Sequence, residues 1–235
     1  MIRSTIFILF QTVSVSIWGI LVLLFAPFMN ISQRYTFTMI WPKMNIFLAK
    51  FLLEIDYELE GYKNLEAHND SPVIICSNHQ SAWETFFFAN GLLKNICFVF
   101  KKELLLIPFF GWGIGLLKMI HIDRKAGKKA LDQIIHQTPK QIALNRWIVF
   151  FPEGTRAKPG ETLKYKIGAA VLSNHFGIPI IPIAHNSGKY WKKNAWIKKK
   201  GMISLKIGPA VNPKNKSPEQ IISEVRDWIQ SNTKT

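Results

Sequence analysis

No charged residue falls between Arg3 and Arg34, and the stretch from Thr5 to Met29 is almost continuously apolar. Wound as a helix, that stretch spans about 37 Å at ~1.5 Å per residue, enough to cross a hydrocarbon core of ~30 Å. A cleaved signal sequence fits poorly. The run is too long, and Phe25-Ala26-Pro27-Phe28 offers no small-x-small cleavage site. A core helix rarely stays free of charge over such a length. The following stretch, Asn30 to Lys50, is more amphipathic, with Arg34, Lys43 and Lys50 among Phe37, Ile40, Trp41 and Phe47. Pro42 is expected to kink or interrupt it. Basic edges beside Trp and Tyr suit an interfacial or partly inserted helix better than a second full span. Residues 1–52 are therefore expected to anchor the chain to a membrane.

Beyond the anchor, short apolar runs alternate with helical patterns, the signature of α/β architecture. Strands are predicted at Ile55–Leu59, Val73–Ser77, Ile96–Phe100, Met119–Ile122, Trp147–Phe151, Ile178–Ile183 and Ile203–Ile207. Helices are predicted at Ser81–Leu93, Ala126–Asn145 and Lys166–Phe176. A last helix is announced by Ser217-Pro218-Glu219-Gln220: Ser at the cap, Pro at the first helical position and Gln three after the cap. Residues 53–235 read as one α/β domain, a mixed sheet flanked by helices.

The charge is uneven. Thirty Lys and Arg face fifteen Asp and Glu, for a formal net charge of +15. Eleven lysines and no acidic residue lie between Thr162 and Pro218. The densest part runs from Lys189 to Lys200 and interleaves Lys192, Lys193, Lys198, Lys199 and Lys200 with Trp191 and Trp196. Such a pattern suits nucleic acid or an anionic lipid surface. Behind an apolar anchor the lipid surface is the better partner, and no nucleic-acid partner is expected. The positive excess places the domain on the cytoplasmic side.

Four short constellations carry chemistry. Asn78-His79-Gln80-Ser81-Ala82-Trp83-Glu84 stands where an apolar strand runs into a helix. His is the side chain best suited to general-base work near neutral pH, and a carboxylate on its other nitrogen fixes tautomer and orientation. Positions five apart on one helix do not face each other. His79 must therefore lie in the turn, with Glu84 in the first turns of the helix. Ser81-x-x-Glu84 also fits a capping box, and both readings stay open. Phe151-Pro152-Glu153-Gly154-Thr155-Arg156 follows another apolar strand, where α/β folds place ligand-contacting groups. Its Arg suits phosphate, and its Gly admits a ligand to the backbone. Ile120-His121-Ile122-Asp123-Arg124 again puts charge at a strand end. Ile180-Ile181-Pro182-Ile183 is a strand whose Pro calls for an edge or terminal position.

These four pieces, in this order, resemble the glycerophospholipid acyltransferase family, specifically the short bacterial 1-acyl-sn-glycerol-3-phosphate acyltransferases. That family reads Asn-His-x4-Asp, then a block ending in Arg, then Phe-Pro-Glu-Gly-Thr-Arg, then an apolar Val-Pro-like block. The third block matches in full, and the resemblance covers roughly Val73 to Ile183. Glu84 stands where Asp is commoner, and His121 where many relatives carry an aromatic residue. Other chemistries lack their signatures. There is no Gly-x-Ser-x-Gly elbow and no Walker loop, and Leu116 replaces the last glycine of a dinucleotide fingerprint begun at Gly111. Cys76 and Cys97 are read as core residues. No metal and no cofactor is called for.

The resemblance implies transfer of an acyl group from acyl-CoA or acyl carrier protein to the 2-hydroxyl of lysophosphatidic acid. His79 would take the hydroxyl proton, and Glu84 would stabilise the imidazolium. The thioester is already activated, so no covalent enzyme intermediate is required. Arg124 would hold the acceptor phosphate, with Glu153, Gly154, Thr155 and Arg156 positioning glycerol and phosphate. Leu104–Leu117 would line an acyl channel or dip into the bilayer. The implied location is a bacterial inner membrane, with the domain facing the cytoplasm. The rival readings are a relative acting on another lysolipid, such as a lyso-ornithine lipid or a lysophospholipid, and a non-enzymatic lipid-binding protein.

Overall fold

Seven apolar runs give seven strands of one sheet in a computed structural model that describes residues 1–123, 126, 127 and 129–233. The chain opens with two long helices, α1 (Ile2–Phe25) and α2 (Ile31–Leu53). Then come β1 (Ile55–Glu60), a single turn α3 (Lys63–Glu66), β2 (Ile74–Ser77), α4 (Trp83–Gly91), β3 (Ile96–Lys101) and α5 (Phe110–Leu116). The rest comprises β4 (Ile120–Ile122), α6 (Lys129–Ala143), β5 (Trp147–Phe150), α7 (Gly168–Phe176), β6 (Ile180–His185), β7 (Gly201–Ile207) and α8 (Pro218–Thr233). The strand order is β1-β7-β6-β2-β5-β3-β4. All neighbours are parallel except β6 and β7. Every residue of β2, β5 and β6 is buried, as almost wholly apolar strands must be when helices cover both faces.

Parallel pairing sends the ends of β6, β2, β5, β3 and β4 to one edge. The Asn78–Glu84 and Phe151–Arg156 constellations follow two of those ends, β2 and β5.

Pro182 occupies a central strand, not the edge or end expected of it. Its register partner on β2 is Cys76. The β6–β7 ladder covers only Ile183 to His185, and Gly208 beyond the end of β7 donates to the Pro182 carbonyl. In a strand the N and O of one residue point the same way. The missing N–H of Pro182 therefore points to the side of Gly208 and not toward β2, so the β2–β6 ladder loses no bond.

Pro42 likewise does not end its helix. α2 runs unbroken past it, opened by an Asn30–Gln33 capping box. Trp41 packs edge-on against Phe86 of α4, and the Tyr35 hydroxyl accepts from the Ile96 amide of β3 at 2.9 Å. Tertiary packing holds what local propensity alone would break. The same packing bears on the expected boundary near residue 52. Phe7, Tyr35, Met39, Ala49 and Leu53 belong to the same buried cluster as the sheet. The change at residue 53 is one of secondary structure and not a break in the core. On α1 the outward residues Ile2, Ile6, Leu9, Val13, Ile17, Ile20 and Leu24 are exposed at three- and four-residue steps, forming one apolar stripe. Among the described residues, α1 with its short extension to Phe28 is the one helix long and apolar enough to cross a membrane.

Ser217 caps α8 as its sequence announces. Its backbone N–H donates to the Gln220 side chain at 2.7 Å, and its hydroxyl accepts from the Gln220 N–H at 3.3 Å.

Candidate active site

β2 stops at Ser77 and α4 begins at Trp83, so His79 lies in the turn and Glu84 in the first helical turn. His79 Nδ1 is 2.8 Å from Glu84 Oε1. The imidazole stacks on Phe151 with ring centroids 4.1 Å apart and 19° between planes. Its backbone is pinned from the neighbouring strand end. The His79 N–H donates to Glu153 Oε2 at 3.2 Å, and its carbonyl accepts from Ala157 N at 2.7 Å.

Glu84 is fully buried and accepts far more than one bond. Gln80 N and Ser81 N each donate to Oε1 at 2.8 Å. Oε2 takes the Ser81 hydroxyl and, at 2.9 Å, the Ser187 hydroxyl. The Ser81 hydroxyl in turn accepts from Trp83 N. The carboxylate thus binds the turn that leads into the helix and faces His79, while the helix's own N-cap, Ala82, has no side-chain cap bond. Burial by itself would raise the Glu84 carboxyl. The pull of His185 and His79 and the hydrogen bonds from His79 and Ser81 outweigh it, holding the group well below the usual carboxylate range.

Asn78 explains why its residue type precedes the histidine. Its side chain donates to the His185 carbonyl at 2.8 Å and accepts from the His185 N–H at 3.0 Å, acting as one more backbone unit between β2 and β6. His185 Nε2 lies 2.8 Å from the Asn78 carbonyl. Burial pushes the His185 imidazole below its ordinary value, with Glu84 pulling the other way.

One cavity of about 560 Å³ joins the dyad to the two N-terminal helices. Its polar lining is Thr38, His79, Thr85, Lys101, Gly154, Thr155, Arg156 and Lys193, and the remainder is overwhelmingly apolar. Val15, Trp18, Gly19 and Val22 of α1, Met39 and Trp41 of α2, and Leu104, Phe109, Phe110 and Ile114 form much of the wall. Leu106 and Trp112 of the same Leu104–Leu117 stretch are exposed and do not line the cavity, so it offers one set of side chains to the cavity and another to the outside. Gly154 has φ +70°, which disfavours any side chain at that turn.

Of the residues expected to meet an acceptor, Gly154, Thr155 and Arg156 reach this cavity. Arg124 lies outside the described residues. The Glu153 carboxyl holds the His79 N–H and lines a second cavity behind the loop. Burial and the negative charges of Glu84 and Glu161 push it up to about 8, against the opposing bond from His79. Because the folded value exceeds the unfolded one, the associated stability is full below the ordinary carboxylate range and is lost as pH rises through about 8. Glu153→Gln, which still accepts the His79 N–H, is expected to stabilise the fold at pH 8 by on the order of 1–3 kcal/mol and hardly at pH 4. Thermal unfolding of both proteins at the two pH values measures it. Equal differences at both would mean that the carboxyl titrates normally.

The basic segment is partly corrected. Trp191 is only 5% exposed, packed edge-on against Phe7 at 5.1 Å, and does not face outward. Lys198 is half-buried, with its ammonium 5.6 Å from the Trp191 ring centre. Lys193 turns towards the cavity, with its Nζ 3.4 Å from Thr155 Oγ1. Trp196, Lys192, Lys199 and Lys200 are exposed. His185, Ser187 and the inward turn of Lys193 escape the sequence reading. Yet Asn186-Ser187-Gly188 is again a polar turn at a strand end, the very signal that singles out His79.

Known proteins resemble this chain in sequence and in fold. The profile of the family described as Acyltransferase matches residues 56–186. A 1-acyl-sn-glycerol-3-phosphate acyltransferase of Pseudomonas aeruginosa is 39% identical over 221 residues, covering 94% of this chain and 84% of that protein. One of the same name from Helicobacter pylori is 38% identical over 111 residues, or 47% of this chain and 46% of that one. The crystal structure of the 1-acyl-sn-glycerophosphate (LPA) acyltransferase PlsC from Thermotoga maritima has the same fold. Its TM-score is 0.78 over 99% of this chain and 94% of that one, at 23% identity. With a profile match over more than half its length and a relative matched nearly end to end, this chain belongs to the acyltransferase family.

Proposed function

We propose that this protein transfers an acyl group from acyl-CoA or acyl carrier protein to the sn-2 hydroxyl of lysophosphatidic acid, giving phosphatidic acid. One observation carries the reading: His79, held by the buried Glu84, opens on a cavity that is cationic around the histidine and apolar elsewhere. That is the polarity of an anionic lipid with a hydrocarbon chain. The names of the relatives from Pseudomonas and Helicobacter support the same acceptor.

With Nδ1 engaged by Glu84, His79 has Nε2 left to accept a proton from the attacking hydroxyl. As that proton arrives, the carboxylate stabilises the imidazolium. Phe151 keeps the ring in plane for the transfer. Arg156 holds the acceptor phosphate, Thr155 and Gly154 place the glycerol, and the apolar walls take an acyl chain. The α1 stripe, Trp196 and the outward lysines Lys192, Lys199 and Lys200 bind the bilayer that supplies the acceptor, on the cytoplasmic side of a bacterial inner membrane.

The test is acylation by the purified full chain, offered a thioester donor and lysophosphatidate beside lyso-ornithine lipid and lysophosphatidylcholine. Phosphatidate is the expected main product. Arg156→Ala should raise the acceptor KM roughly tenfold or more and leave the donor KM unchanged. Preference for another lysolipid would reassign the acceptor, and no turnover with any of them would favour a binding protein.

A further inference from the structure

Glu84 has five hydrogen-bonding contacts, and four come from the three residues of its own turn: His79, Gln80 and Ser81. The fifth arrives from 103 residues away. We propose that Ser187, on the turn after β6, is a positioning residue that fixes the Glu84 carboxylate so that Oε1 faces His79. The proposal rests on the general-base reading given above and adds a member to that machinery.

Ser187 is fully buried, its hydroxyl 2.9 Å from both Glu84 Oε2 and the Ser81 hydroxyl. A serine hydroxyl has a single proton. Glu84 Oε2, a charged acceptor, is the stronger place for it than a second hydroxyl. Ser187 does not line the cavity that holds His79, so it acts on the reaction only through Glu84.

Its own position is set by a second layer of bonds. Ser187 N is 3.4 Å from His185 Nδ1, and Gly188 N donates to Gln80 Oε1 at 3.1 Å. A Cβ on Gly188 would come within 2.9 Å of Gln80 Cβ, so the close approach of the two turns depends on that glycine. The Asn78–His185 bonds hold the strand ends from which both turns spring. Without Ser187, every remaining donor to Glu84 would move with the loop that carries it. The carboxylate could then rotate as charge develops on the imidazole. With Ser187 the carboxylate is tied to the central sheet before the reaction begins, which is how preorganised donors lower a barrier.

The measurement is steady-state acylation of lysophosphatidate by the full chain in detergent, as a function of pH, for Ser187→Ala, Ser187→Thr and Ser187→Cys, with His79→Ala alongside. Ser187→Ala should lower kcat roughly tenfold, the effect of one lost bond to a charged group, with both KM values within about twofold. The acid limb of kcat/KM should move to higher pH, because a carboxylate with one donor fewer holds a proton on its partner imidazole more strongly. Thr, which keeps the hydroxyl, should restore most of the rate. Cys, near in size but a weak donor, should fall between Ser and Ala, and it remains informative if the extra methyl of Thr prevents folding. Unchanged kcat in Ser187→Ala beside an inactive His79→Ala would overturn the positioning role alone. So would a kcat loss that matched a drop in melting temperature, with the acid limb unmoved and no recovery in Thr or Cys. Full activity of His79→Ala would overturn the general-base reading and this role with it.

Discussion

Replacing His79 by alanine should lower the rate of acylation by ~10²–10⁴-fold, the usual worth of a positioned general base. The protein should remain folded and membrane-bound. His79 is partly exposed at the cavity, and its ring is not among the large side chains that fill the core. Its loss removes one stack on Phe151 and one bond to Glu84, while the Asn78 and Ala157 contacts that shape the turn survive. Circular dichroism and vesicle flotation check the fold and the attachment, and product formation from a thioester donor checks the rate. Near-normal turnover in a folded His79→Ala protein would remove the imidazole from the mechanism.

The other large effect concerns Glu84 and falls on stability as well as rate. Glu84→Ala would leave the Gln80 and Ser81 amides and the Ser187 hydroxyl without their buried acceptor. Breaking a buried charged cluster from one side costs about 3–5 kcal/mol, a large share of the ~5–15 kcal/mol that holds a domain together. Glu84→Gln keeps size and one acceptor oxygen, so it should fold and lose mainly rate. The pH dependence separates the two roles. The folded value of Glu84 is depressed, so its contribution is complete above the unfolded carboxylate value of ~4.3 and is lost as pH falls below it. Acid unfolding below that pH should be shallower in Glu84→Gln than in the wild type. Thermal unfolding at pH 7 and pH 3.5, paired with turnover, reads both effects. A Glu84→Gln protein with full rate and lower stability would make the residue a tie for the turn alone.

How much of this was legible beforehand depends on which force sets each element. The central strands could be read because β2, β5 and β6 are almost wholly apolar, and little else can be done with such runs in an α/β chain. The dyad could be read because its two residues lie on one strand-to-helix junction, so six positions of sequence contain the whole geometry. Ser187 could not, because its link to Glu84 depends on two strands lying side by side, and pairing order is not written in local periodicity. Trp191 misled for a similar reason. An indole among lysines suits a headgroup region, but Phe7 of the first helix comes back to cover it. Pro42 and Pro182 misled in the opposite sense, since each rule about proline concerns a hydrogen bond that the surrounding structure either forgoes or never required.

The first helix has a consequence of another kind. It carries an outward apolar stripe and, on its other side, supplies Val15, Trp18, Gly19 and Val22 to the wall beside the reaction. At Gly19 a Cβ would fall 2.7 Å from Phe109 Cβ, so even the fit between that wall and α5 is specific. The tether is thus not a spare part. Exchanging it for an unrelated transmembrane segment would return the protein to the bilayer with one side of its substrate chamber missing. Trimming it away for solubility would do the same in detergent. On the function proposed above, attachment and the shape of the cavity fall to opposite faces of one helix.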